Sequence, residues 1–221
     1  MNPNRRYEGM VSIGTDNGGN CCGHAMTEKV DDVKFVRALL DDLESVVKVD
    51  KKRVFATGMS NGAIMCYLLA SEMADRIAAI ALVAGPMGTI GCSPSQPVSV
   101  CHFHGTDDAF APFNGGRGSR SISRTDFHSV EHSIQAWVNA NGCQVRPKTV
   151  SIPSRVDDGT SVTRATYSGG KQGTEVVLYT IRAMGHTWPG SESRLRFLGA
   201  TTKNLVANDV MWEFFQKHAR R

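Results

Sequence analysis

The stretch Arg53-Val54-Phe55-Ala56-Thr57-Gly58-Met59-Ser60-Asn61-Gly62 decides the fold. Residues 53–57 read as a short buried strand, and the chain after Gly62 reads as a helix through about Met73. Gly-x-Ser-x-Gly alone is a weak pattern, but a strand before it and a helix after it make it specific. A serine on so sharp a turn is forced into strained backbone geometry, which lifts its hydroxyl above the sheet. Small neighbours at Gly58 and Gly62 relieve the crowding. The helix that starts there aims its first amides at any developing anion.

Working outward, strands and helices alternate. Residues 77–84 form a short, continuous apolar run, the mark of a parallel strand covered on both faces. Residues 98–104 read the same way, and residues 148–152, 161–167 and 175–181 also read as strands. Val30, Val33, Val36, Leu39, Leu40, Leu43, Val46 and Val47 recur at helical spacing behind Asp31 and Asp32, which suit a helix start. A second stripe, Val130, Ile134, Trp137 and Val138, stops at Asn141-Gly142, a C-terminal signal. Val206, Val210, Met211, Phe214 and Phe215 predict a closing helix, and residues 9–13 a short strand. The alternation predicts a single α/β domain over residues 1–221, with an open, mostly parallel sheet and helices on both faces.

Composition narrows the function. The chain has 221 residues, 41% hydrophobic and 21% charged, enough to bury a sizeable core. The net charge of +4 is interspersed, so no basic face for nucleic acid is expected. The longest apolar run is far below the roughly 20 residues that span a bilayer, and residues 1–9 lack the apolar segment of a signal peptide. The six cysteines include no Cys-x-x-Cys pair. Cys21, Cys22 and His24 lack a fourth ligand, so no metal and no cofactor is expected, and one or two disulfides in an oxidising compartment are.

A serine hydroxyl needs a histidine to take its proton. His186 follows a strand directly, which places it at the same carboxyl edge of the sheet as Ser60. His24, His128, His132 and His218 have no such placement and read as surface residues. An acid must fix the imidazole, and Asp107 and Asp108 both follow the strand over residues 98–104. Asp108, one residue further into the loop, is preferred, with Asp107 in reserve. The order Ser60, Asp108, His186 is that of α/β-hydrolases. Phe110 and Phe113 suit pocket lining and ordinary packing equally, and residues 115–118 read as a flexible loop near the site.

Cys21-Cys22-Gly23, Val30-Asp31-Asp32-Val33, Gly58-Met59-Ser60-Asn61-Gly62, His102-Phe103-His104-Gly105-Thr106-Asp107-Asp108 and Gly185-His186-Thr187-Trp188-Pro189-Gly190 form one set. Together they resemble the polyhydroxybutyrate depolymerase and feruloyl esterase-like family of secreted α/β-hydrolases over nearly the whole chain. The resemblance implies Ser60 as nucleophile, Asp108 as acid, His186 as base and the Asn61 amide as an oxyanion donor. It implies substrate contacts at Met59 and Trp188, the latter walling an acyl pocket. The implied function is hydrolysis of short-acyl, hydroxyalkanoate or hydroxycinnamoyl esters, small or polymer-linked, by a secreted enzyme. An amidase or acyltransferase with the same triad is the alternative, and an inert lobe is another. The family has further strands and a His-Gly oxyanion loop before the double cysteine, where this sequence has only 20 residues. An N-terminally shortened fold is therefore expected, with the second oxyanion donor unassigned and an exposed sheet edge that invites self-association. The family often has a cysteine near Ser168-Gly169-Gly170, and its absence leaves Cys143 unpaired.

Overall fold

In the computed structural model, residues 15–192 and 195–220 are described. The expected strand over residues 9–13 lies outside them. A short helix α1 (Gly23–Thr27) and the long helix α2 (Asp32–Val46) precede the nucleophile segment, strand β1 (Phe55–Met59) and helix α3 (Asn61–Glu72). Strands β2 (Ala79–Val83) and β3 (Ser99–Gly105), helix α4 (Val130–Asn141), strands β4 (Lys148–Ile152), β5 (Ser161–Tyr167) and β6 (Val176–Arg182), and helix α5 (Ala207–Lys217) complete the order. The strands form one sheet in the order β1-β2-β3-β6-β5-β4. The pairings from β1 to β6 are parallel, and β5 and β4 add an antiparallel flank. β1 has a strand partner on one side only among the described residues.

Period-two alternation builds both cores. Ile80 and Leu82 of β2 join one apolar cluster with Val100 of β3, Tyr67 and Leu69 of α3, and Trp137 of α4. Ala79, Ala81 and Val83 point the other way, into a cluster with Phe103, Tyr179, Met211 and Phe214 under α5. This is why the run over residues 77–84 is apolar throughout: every residue of β2 is buried. Helix α4 has both ends specified by sequence. The Ser129 side chain accepts from the His132 amide at 3.0 Å, and Gly142 closes the helix in the left-handed region at φ 68°.

Two expectations need correction, and one predicted helix forms with little burial. The first strand begins at Phe55 rather than Arg53 and is only half-buried, because it lies at the sheet edge. Helix α2 forms, capped by Asp31, but none of its residues is buried. Val33, Val36 and Leu40 touch the core, while Phe35 is 65% and Val46 68% exposed. The stripe therefore carries more apolar surface than α3 and the core residues beside it cover. His218 is a packed residue, not a surface one: its ring lies 4.3 Å from that of Phe214, and its Nδ1 is 3.1 Å from Ser99 Oγ.

Both histidines of β3, His102 and His104, are fully buried, and burial lowers the pKa of each below the ordinary 6.5. Asp108 partly opposes this at His104. The unfolded chain therefore takes up protons that the fold refuses. Stability is complete above about pH 6.5 and falls below it, by about 1.4 kcal/mol per pH unit for each imidazole kept neutral. Urea midpoints measured from pH 7.5 to 5 should fall accordingly; a flat series contradicts the burial of these rings.

Candidate active site

Ser60 sits between β1 and α3 with φ 56° and ψ −121°, a backbone conformation that residues other than glycine rarely adopt. Neighbouring backbone holds it there. The Ser60 amide donates to the Val83 carbonyl at 2.9 Å, and the Ser60 carbonyl accepts from the amides of Ala63 and Ile64. Close approach explains Gly58: a methyl there would lie 2.5 Å from the Gly62 oxygen and 2.9 Å from the Ala63 nitrogen. Gly62 itself faces open space, so it does not relieve crowding as expected; its backbone is what crowds Gly58.

The Ser60 hydroxyl does not cap the helix, and the Asn61 amide has no acceptor among the described residues. The Asn61 side chain is engaged elsewhere. Its Oδ1 accepts from the Asp16 amide at 2.7 Å and its Nδ2 donates to the Asp16 carbonyl at 2.9 Å, tying the loop before Cys21 to the serine turn. Only the main-chain N–H of Asn61 is left to meet an anion.

The acid and the histidine come together at the carboxyl ends of β3 and β6. His186 Nδ1 lies 2.7 Å from Asp108 Oδ2, and both side chains are buried. The other carboxylate oxygen accepts from the amides of Phe110 and Ala111 at 2.8 and 2.9 Å. A carboxylate so surrounded takes the proton on Nδ1 as a donor, which leaves Nε2 with the lone pair of a base. Asp107 is exposed and accepts from Thr106 Oγ1 instead. Ser60 and His186 share the sheet edge, but no hydrogen bond joins them among the described residues.

A cavity of about 280 Å³ opens beside Ser60. Ile64, Phe110, Ile122 and Phe127 make its apolar wall, and Thr15 and Cys22 close another side. The Phe110 ring also lies 5.0 Å from that of His186, so it spans cavity and imidazole. Phe113 packs edge-on against His104 instead. Residues 115–118 are held, Gly116 forming an isolated antiparallel bridge with Phe127.

The two expected substrate contacts are not in this cavity. Met59 shares a face of β1 with Phe55 and packs toward α5. Trp188 packs on the same side and donates from Nε1 to Asn208 Oδ1 at 2.9 Å, because its loop is tied to α5 by the Ala207 amide on the Pro189 carbonyl. Ile122 and Phe127 carry no periodic signal, and only folding brings them to Ser60. The sulfurs of Cys21 and Cys22 lie against each other, while Cys143 is free. No group of His, Cys, Asp or Glu among the described residues could hold a metal.

A mostly parallel sheet with this turn and these edge loops defines the α/β-hydrolase fold. An acetyl xylan esterase from Aspergillus awamori superposes with a TM-score of 0.53 over 83% of this chain and 66% of its own, at 14% identity. No protein-family profile matches. By sequence the chain is 32% identical over 196 residues to a Nocardia uniformis protein named "Putative esterase NocK", covering 83% of this chain and 56% of that one. It is 30% identical over 176 residues to feruloyl esterase B of Piromyces equi (77% and 30%), and 28% over 211 residues to feruloyl esterase C of Emericella nidulans (95% and 66%). The chain is a relative of these esterases, as its motifs imply, and spans about half the length of the first of them.

Proposed function

We propose that the protein is a serine-dependent carboxylic-ester hydrolase. The observation that carries the reading is the buried Asp108–His186 hydrogen bond at 2.7 Å, on the same sheet edge as strained Ser60. Ser60 Oγ attacks the ester carbonyl as His186 Nε2 takes its proton. The carbonyl oxygen becomes an anion and meets the Asn61 amide. The tetrahedral intermediate collapses as His186 returns the proton to the leaving alcohol. Water, activated by the same imidazole, then releases the acid and restores Ser60. Asp108 stays ionised and steadies the imidazolium.

The apolar cavity takes the acyl group. Its volume of about 280 Å³ and its aromatic wall suit a hydroxycinnamoyl acyl group as well as a short aliphatic one. The names of the relatives, feruloyl esterases among them, support the ester class. Work in an oxidising compartment belongs to the same reading and is supported by the cysteine content of the chain.

A fluorophosphonate probe should label the wild-type chain at Ser60, located by peptide mass spectrometry. Methyl ferulate, an aryl acetate, an aryl 3-hydroxybutyrate and the matching anilide should then be compared. Ester turnover well above anilide turnover is expected. Faster anilide cleavage points to an amidase, and a folded sample that neither labels nor turns over is an inert lobe.

A further inference from the structure

Behind the acid, on the α3 and α4 side of the sheet, lies a chain of buried polar side chains that the proposed reaction does not use. Tyr67 of α3 is 1% exposed, and His102 and His104 of β3 are 0% exposed. Tyr67 Oη lies 2.8 Å from His102 Nδ1, His102 Nε2 lies 2.9 Å from His104 Nδ1, and His104 Nε2 lies 2.8 Å from the Ala111 carbonyl oxygen. The two imidazoles lie within 6° of parallel.

The far end sets the direction of the whole chain. A carbonyl only accepts, so His104 must carry its proton on Nε2. Burial keeps the ring neutral, so its Nδ1 is bare and must accept. His102 then donates from Nε2, its own Nδ1 accepts, and Tyr67 donates. One arrangement satisfies every imidazole nitrogen, and the reverse one puts two lone pairs face to face.

Both ends of the chain reach the site. Tyr67 stands on the helix that Ser60 opens. Ala111 accepts from His104 through its carbonyl and donates through its amide to Asp108 Oδ1 at 2.9 Å. His104 Nε2 also stands 3.5 Å from Asp108 Oδ2, the oxygen that holds His186. Neutral apolar packing would fill this space without fixing any angle, whereas a fully satisfied polar chain specifies one arrangement.

We propose that Tyr67, His102 and His104 are positioning residues: a one-directional hydrogen-bonded strut from α3 to the Asp108–Ala111 loop that sets where His186 stands relative to Ser60. The role rests on the hydrolase reading above. The strut touches no substrate and acts only through Asp108.

Two measurements test it on the full chain. Long-range ¹⁵N–¹H correlation on histidine-labelled protein should find His102 and His104 both neutral with the proton on Nε2, from pH 8 to 5.5. A proton on Nδ1 of either ring, or titration near 6.5, overturns the strut whatever the activity. The second measurement is kinetic. Tyr67→Phe removes one hydroxyl and frees the chain at α3. Displacing a reacting group by about 1 Å can lose roughly a hundredfold in rate, and a partial loosening should lower kcat roughly tenfold with KM within twofold. His104→Gln, which keeps a donor for the Ala111 carbonyl, should retain at least tenfold more kcat than His104→Leu per folded molecule. Equal kcat in folded Tyr67→Phe and wild type, or in the two His104 variants, shows a merely structural chain and overturns the role. Wild type that neither labels nor turns over, with both Nε2 protons present, overturns the hydrolase reading and the role together while leaving the chain's direction intact.

Discussion

Ser60→Ala is expected to lower kcat for an aryl ester by about 10⁶, to the residual rate that binding and the oxyanion site supply without a nucleophile. The melting curve should barely move. The Ser60 hydroxyl makes no hydrogen bond among the described residues, so its removal strands no partner and should change stability by less than about 0.5 kcal/mol. Backbone strain stays, because alanine tolerates φ 56° no better than serine. Ser60→Gly releases that strain and should be more stable than Ser60→Ala by about 1 kcal/mol, while equally inactive. Kinetics and thermal denaturation on the three proteins separate chemistry from folding. A Ser60→Ala variant within tenfold of wild-type turnover would remove Ser60 from the mechanism.

The largest expected effect on folding comes two residues earlier. In Gly58→Ala the added methyl falls on the Gly62 carbonyl and the Ala63 nitrogen, which are backbone and cannot rotate away. Helix α3 must lift off β1, and α3 supplies Tyr67, Leu69 and much of one core. A loss of about 4 kcal/mol or more follows from overpacking and separation of that core. That is a large part of the roughly 5–15 kcal/mol that holds a domain together, and it lowers Tm by roughly 8–16 °C in a chain of this size. Gly62→Ala is the control. Its methyl meets nothing within 4 Å, and alanine favours a helix over glycine by about 1 kcal/mol. The same substitution four residues apart should thus act with opposite signs in a melting experiment. Equal Tm values for Gly58→Ala and wild type would refute the close approach.

These effects belong to different levels of the molecule. The order strand, Gly-x-Ser-x-Gly, helix is local, and so is the need for a short-range glycine; both were legible in residues 53–73. β2 was legible because a strand covered on both faces has no polar position to spare. α4 was legible because its apolar stripe and the left-handed glycine that ends it depend on neighbours within a turn or two. The coverage of α2 was not legible. Its apolar stripe dictates a helix but not how much surface lies opposite, and that is set by how much of α3 and the core it meets.

The site divides in the same way. Parallel strands all end at one edge, so Ser60, the Asp107-Asp108 pair and His186 could be placed together from their positions after strands. The family motifs assigned chemistry to them. Which side chains wall the cavity depended on loops meeting across space: Ile122 and Phe127 arrive from far along the chain, while Trp188, close to His186 in sequence, turns toward α5. The Tyr67–His102–His104 chain was equally hidden, since β3 gives only the alternation that points both histidines to one face. By itself the sequence determined the α/β class, the strand and helix order and the edge on which the reactive residues sit, because periodicity and turn chemistry act over a few residues. Tertiary structure alone decided the cavity wall and the direction of the buried hydrogen bonds, because each depends on contacts between segments that nothing local connects.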